Sequence, residues 1–319
     1  MRSRILFAVR CSSLIERRWR RRKENPPFSI TTHRKCAKIR LCPLRTHTSY
    51  IFAANQYQGG MTPEELAALR RAVDTLEHPS FAARLSNVAG KPVQVMRRTL
   101  PAAASEAITK ATTRGLSAAV SAALRSMRND YRPGAPWLHK ALAAGSGALG
   151  GGFGLVALPV ELPVSTVLML RGILDVARAE GENLQRPETA LSALQVFALG
   201  GEGPEAGYFA VRGMLAKSVT EAVRFIAERG ILTEGAPVLV RFVAQIGSRF
   251  GIVVSQKVAA QALPMIGALG GAAVNYAFMD HFQEVAKAHY LVRRLERIYG
   301  QDAVRAEYER LRAATAFAA

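Results

Sequence analysis

With 319 residues the chain is long enough for one large domain or two small ones with a sizeable core. Hydrophobic residues make up 49% and mean hydropathy is +0.07, which is greasier than most soluble domains and falls short of a polytopic transporter. The formal charge of +19 is concentrated at one end: residues 1–60 hold 14 Lys and Arg against 2 Glu, and residues 61–319 hold 29 basic against 22 acidic residues. The body is therefore only mildly basic, and no nucleic-acid partner is expected for it.

The first sixty residues form a basic extension distinct from the single domain expected over residues 61–319. The run from Glu16 to Lys23, with five arginines, precedes Pro26-Pro27 and a Thr-, Ser- and His-rich stretch without hydrophobic periodicity. It reads as disordered, with three origins open: an untranslated upstream stretch, a basic arm for phosphates or anionic lipid, or a targeting peptide. Met61-Thr62-Pro63-Glu64-Glu65 favours the first, because Thr62 and Glu65 make a capping box and Pro63 suits the first helical position. Cys11, Cys36 and Cys42 all lie in this extension, and Cys36 and Cys42 with His33 and His47 lack a zinc spacing. No metal or cofactor is expected.

Helical punctuation runs from Thr62 onward and predicts an all-α bundle. The expected helices are Pro63 to Glu77, Phe81 to Ala89, Pro101 to Met127, Pro163 to Glu180 stopped by Gly181, one opened by Pro187-Glu188, Glu205 to Arg229, one from Pro237, Met265 to Tyr299 stopped by Gly300, and a short terminal helix from Ala303. Val238-Leu239-Val240 and Ile252-Val253-Val254 have strand-like composition. They are read as helical because no partner strands flank them.

Two segments stand out. Ala141–Val160 and Val258–Met279 carry no charge, and each contains Gly-Ala-Leu-Gly-Gly. Glycines four apart, Gly147 with Gly151 and Gly267 with Gly271, share a helix face and admit a close backbone, so these four and Asn275 are expected to pack the two segments together. Length permits membrane spans, but the glycines, alanines, Pro159, Pro264, Gln261 and Asn275 weaken them. A buried helical hairpin, spans or re-entrant insertion, and interfacial association all remain open.

Leu158-Pro159-Val160-Glu161-Leu162-Pro163, Leu170-Arg171-Gly172-Ile173 and Gly181-Glu182 form one block of motifs. Arg249-Phe250-Gly251, Lys257, Gln261, Pro264, Gly267-Ala268, Gly270-Gly271 and Asn275 form a second, continued by His281-Phe282, His289, Arg294-Leu295-Glu296 and Tyr299-Gly300. Together they resemble the EcsC family over about residues 80–300. The resemblance implies a bacterial protein with a membrane-linked accessory role, since the family is named after a protein encoded beside an ABC-transporter pair. It implies no reaction and no catalytic residues.

Candidate chemistry is sparse. Glu161, between two prolines, is a potential acid or base, weighed against a simple charge at a helix N-terminus. Arg171 with Asp175 and Arg178 reads as local ion pairing rather than a substrate clamp. Phe278, Phe282, Val285, His289, Val292 and Leu295 repeat by four and three, a packing seam that carries a histidine. Gly200-Gly201-Glu202-Gly203 lacks the lysine and strand of a phosphate loop.

The first functional expectation is a membrane-proximal accessory or binding protein of the bacterial cytoplasm. Its partner is a membrane surface, a membrane protein or a lipid-like ligand, met through the glycine segments with Arg128, Arg132, Lys140, Arg249 and Lys257 as basic flanks. The alternative is a hydrolase acting on an apolar substrate through Glu161, Asp280, His281 and His289. A soluble bundle with an internal apolar cavity is the third reading.

Overall fold

A computed structural model describes residues 60–78, 81–82, 85–86, 102–126, 141, 144–145, 157–201, 207–229, 236–261 and 267–316. These lie in one compact unit, Ala54–Ala319; a second unit, Met1–Ala53, contains none of them. Eight helices are delimited among the described residues: α1 (Pro63–Glu77), α2 (Ala102–Ser126), α3 (Leu158–Ala179), α4 (Pro187–Leu199), α5 (Tyr208–Arg229), α6 (Pro237–Gln261), α7 (Gly267–Tyr299) and α8 (Gln301–Ala316). The described residues contain no strand, so both β-branched runs are helical within α6.

Local chemistry starts and stops the helices where their sequences require. At α1 the Glu65 N–H donates to Thr62 Oγ1 (3.2 Å) and the Thr62 N–H to Glu65 Oε2 (2.9 Å), completing the capping box. Gly181 and Gly300 follow α3 and α7 with φ of +83° and +89°, a left-handed conformation that glycine adopts without a Cβ penalty.

The 33-residue α7 is the spine, about 50 Å long at 1.5 Å per residue. It packs on α1, α3, α4, α6 and α8. Its predicted seam is real: Phe278, Phe282, Val285, His289, Val292 and Leu295 are all buried. The 13-residue α4 sits at the centre, with every residue from Thr189 to Leu199 buried. A helix apolar on all faces belongs inside, and α4 touches α2, α3, α5, α6 and α7. Phe197, Phe250, Phe278 and Phe282 interlock between α4, α6 and α7 with ring centroids 4.9–6.0 Å apart.

Three expectations need correction or limits. First, α3 begins at Leu158 rather than Pro163, which lies inside it. Pro159 occupies the first turn without loss, whereas Pro163 removes one backbone bond from the interior, at a cost of about 3 kcal/mol. Second, Val258–Met279 is divided between the end of α6 and the start of α7, which begins at Gly267 rather than Met265. Third, Gly147 and Gly151 lie outside the described residues, and with them the expected contact to Gly267 and Gly271. The helix expected over Phe81–Ala89 is described only at residues 81–82 and 85–86.

Close backbone approach is achieved elsewhere. A Cβ on Gly115 would stand 2.9 Å from Thr166 Oγ1, where α2 lies along α3. At the end of α4, a Cβ on Gly200 would stand 2.6 Å from Phe282 Cε1 and 3.0 Å from His281 Nε2. Gly213, exposed in α5, has nothing within 4 Å of a Cβ. We predict that Gly200→Ala destabilises the chain by about 1–3 kcal/mol through overpacking, and that Gly213→Ala stabilises it by about 0.5–1 kcal/mol. Denaturant melts of the two variants give the comparison; equal shifts in either direction would contradict it.

Candidate functional site

Two groups of buried polar side chains each join several helices. The first joins three helices at the end where the charge-free segments terminate. Glu161 stands in the first turn of α3, Lys257 four residues before the end of α6, and Asn275 in the third turn of α7. Lys257 Nζ donates to Glu161 Oε1 and Oε2 at 2.7 and 2.9 Å, and Asn275 Nδ2 donates to Oε1 at 2.6 Å. The ammonium also lies 4.8 Å from the centre of the Phe278 ring. Lys257 is 0% exposed, and Glu161 and Asn275 are buried with it. Burial pushes the Lys257 ammonium below the ordinary lysine value, and the Glu161 carboxylate works against that shift.

The second centre surrounds His289 on α7. Its Nδ1 is 2.9 Å from Tyr208 OH and its Nε2 3.3 Å from Ser192 Oγ. Arg212 donates to Tyr208 OH (3.2 Å) and, through two nitrogens, to Glu296 (2.7 and 3.0 Å). Arg293, one turn past His289, donates to Glu182 at 2.8 Å, and Arg297 binds the same carboxylate. Burial first, then Arg212 and Arg293, holds His289 well below the usual histidine range, so the ring is neutral. Burial alone would raise Glu182, but the two arginines outweigh it and hold the carboxyl below its ordinary value. The network continues outward. Tyr208 stacks on Tyr308 at 5.4 Å, and Glu77 Oε1 accepts from Tyr308 OH (2.8 Å) and the Tyr208 N–H (3.1 Å). Arg312 closes on the other Glu77 oxygen at 3.2 Å.

Between the centres, the C-terminal carbonyls of α4 are occupied. His281 Nε2–H donates to Gly200 O at 2.8 Å, and Arg249 donates to Ala198 O and Gly201 O at 3.0 and 3.3 Å. A cation at a helix C-terminus is favoured by the macrodipole as well as by the bonds.

The candidates from the sequence are thus distributed rather than assembled. Glu161 and Asn275 meet, His281 serves the end of α4, His289 centres the second network, and Asp280 is half-buried. His281 and His289 are separated by about 12 Å along one helix, and Asn275 and His289 by about 21 Å, at 1.5 Å per residue. No single reacting atom could engage all four proposed acid/base groups. Ser192 and His289 stand as a nucleophile and base would, yet both are buried. Arg171 and Arg178 are exposed, and Asp175 is half-buried.

Two basic flanks are corrected: Lys257 is buried on Glu161 and Arg249 is spent on α4, so neither faces lipid. Arg128, Arg132 and Lys140 lie outside the described residues. Sequence reasoning missed Ser192, Tyr208, Arg212 and Glu182 as network members, because their partners are 81–111 residues distant. Lys257 carried one signal: it is the charge that borders a charge-free segment, as Glu161 is on the other.

The described architecture defines an all-α bundle braced by buried polar centres. Residues 64–295 match the model of the EcsC protein family, and the chain belongs to that family. No curated protein and no solved structure matches it.

Removing one partner of a buried ion pair strands the other, so Lys257→Met is predicted to destabilise the chain by about 3–5 kcal/mol in a denaturant melt. His289 supplies a pH dependence. Its folded pKa lies below the unfolded value near 6.5, so the unfolded chain binds more protons in that range and stability falls as pH drops below about 6.5. His289→Gln should flatten that part of the stability–pH curve; an unchanged slope would show that His289 is not its source.

Proposed function

We propose that this protein is a membrane-proximal binding protein that meets the bilayer surface with the apolar end of its bundle, without sending a described helix across it. The carrying observation is three exposed apolar side chains within three residues of Glu161 or Asn275 in the chain: Val160 at 71%, Val164 at 47% and Tyr276 at 47%. Val160 and Val164 share a face of α3 four residues apart, and Tyr276 follows Asn275 on α7. Exposed apolar groups at one site mark a contact surface, and a tyrosine suits the interface between headgroup and acyl chain. On this reading the protein works at the cytoplasmic membrane of a bacterium, in keeping with the accessory role that the family resemblance implies.

Surface attachment is favoured over spanning by the state of α6. Among the described residues it is the one helix long and apolar enough to cross a membrane. Of its three charged residues, Arg241, Arg249 and Lys257, the last two are tied to α4 and α3, so moving α6 into lipid would break both contacts and strand Glu161. Stranding one partner of a buried ion pair costs about 3–5 kcal/mol.

The full chain should sediment with phosphatidylcholine vesicles in high salt and be released by a carbonate wash. Val160→Ser/Val164→Ser/Tyr276→Ser should weaken that binding at least tenfold, a loss of about 1.4 kcal/mol and modest beside the burial of three such side chains. Retention in the washed pellet would sink the surface reading in favour of insertion. Binding that disappears in high salt and survives the triple change would move attachment to the basic residues 1–60.

A further inference from the structure

The charge that ends the first charge-free segment is Glu161, and the charge that begins the second is Lys257. In the fold these two bordering charges are bonded to each other. The sequence around them is mirrored: Gly147 and Gly151 lie fourteen and ten residues before Glu161, and Gly267 and Gly271 ten and fourteen after Lys257. Asn275, inside the second segment, adds a third helix to the same carboxylate. A buried ion pair is a poor way to gain stability, because an apolar pair of similar volume does as well or better. Its distinguishing property is directional: sliding α3 against α6 by one turn would leave a carboxylate and an ammonium unpaired in the core, whereas an apolar contact would tolerate the shift.

We infer that Glu161, Lys257 and Asn275 form a register lock, which fixes how α3, α6 and α7 are set against one another. Asn275 is the orienting member, since its amide constrains the carboxylate that Lys257 grips. The lock stands on the geometry alone; only its consequence for vesicle binding rests on the bilayer reading. With the lock intact, Val160, Val164 and Tyr276 are presented together.

The test separates register from stability. Spin labels at Val160→Cys and Val240→Cys, both exposed, in a Cys11→Ser/Cys36→Ser/Cys42→Ser background, report the position of α3 along α6. Val240 precedes Lys257 by seventeen residues, about 25 Å along the helix, so a slip of one turn moves the labels by about 5.4 Å. The native pair should give one narrow distance. Glu161→Leu/Lys257→Met should keep a cooperative melt but give a split or displaced distance, with vesicle affinity reduced about tenfold. Glu161→Lys/Lys257→Glu should restore the single distance. An unchanged distance in the apolar double variant overturns the lock. Should that variant fail to fold, the reversed pair decides alone: the native distance supports the lock, and any other result overturns it. If the native chain fails to bind vesicles, the bilayer reading fails while the distances still judge the lock.

Discussion

An ammonium group with no solvent exposure is tolerable only when its partners replace water almost completely. Lys257 has that replacement: two carboxylate oxygens within 2.9 Å and an aromatic face at 4.8 Å. Three helices must arrive together for this to hold, because Glu161, Lys257 and Asn275 come from α3, α6 and α7. The pair also sits well with the helix fields. A carboxylate in the first turn of α3 and an ammonium near the end of α6 each lie where the macrodipole favours their charge. Two exposed apolar side chains adjoin its members in the chain, Val160 next to Glu161 and Tyr276 next to Asn275.

The opposite half of α7 solves a related problem with neutral groups. His289 is enclosed by hydroxyls, and the arginines nearby each hold a carboxylate of their own: Arg212 with Glu296, Arg293 with Glu182. Positive charge is thereby kept near the ring without being placed on it. This is a brace that depends on the histidine remaining neutral, and it ties α4 and α5 to the spine. Like the Glu161 centre and the caps on the end of α4, it satisfies side chains from several helices at once.

Much of this was legible in the sequence where the physics is local. The capping box at Thr62, the stops at Gly181 and Gly300, and the four-and-three seam from Phe278 to Leu295 are all decided within a few residues, and all appear as read. Pro163 misled because proline marks helix starts more often than early interiors. The start of α7 was read within two residues, because Pro264 interrupts the uncharged run at 258–279. Lys257 and Arg249 read as lipid-facing because a charge beside an apolar run is usually solvated. Their real partners, Glu161 and the carbonyls of Ala198 and Gly201, are 96, 51 and 48 residues away. Separation of that size leaves no periodic trace.

Glu77 carries a consequence for how the protein is made. It ends the first delimited helix, yet its carboxylate is satisfied by Tyr308 and Arg312 of the last, with Tyr308 lying 231 residues further along. The capping residue Glu65 likewise waits for Tyr299, 234 residues on. At ribosomal speeds of about 5–20 residues per second, α1 emerges roughly ten to fifty seconds before its partners exist. During that interval its apolar stripe of Leu69, Val73 and Leu76 lacks the cover that α7 and α8 later give it.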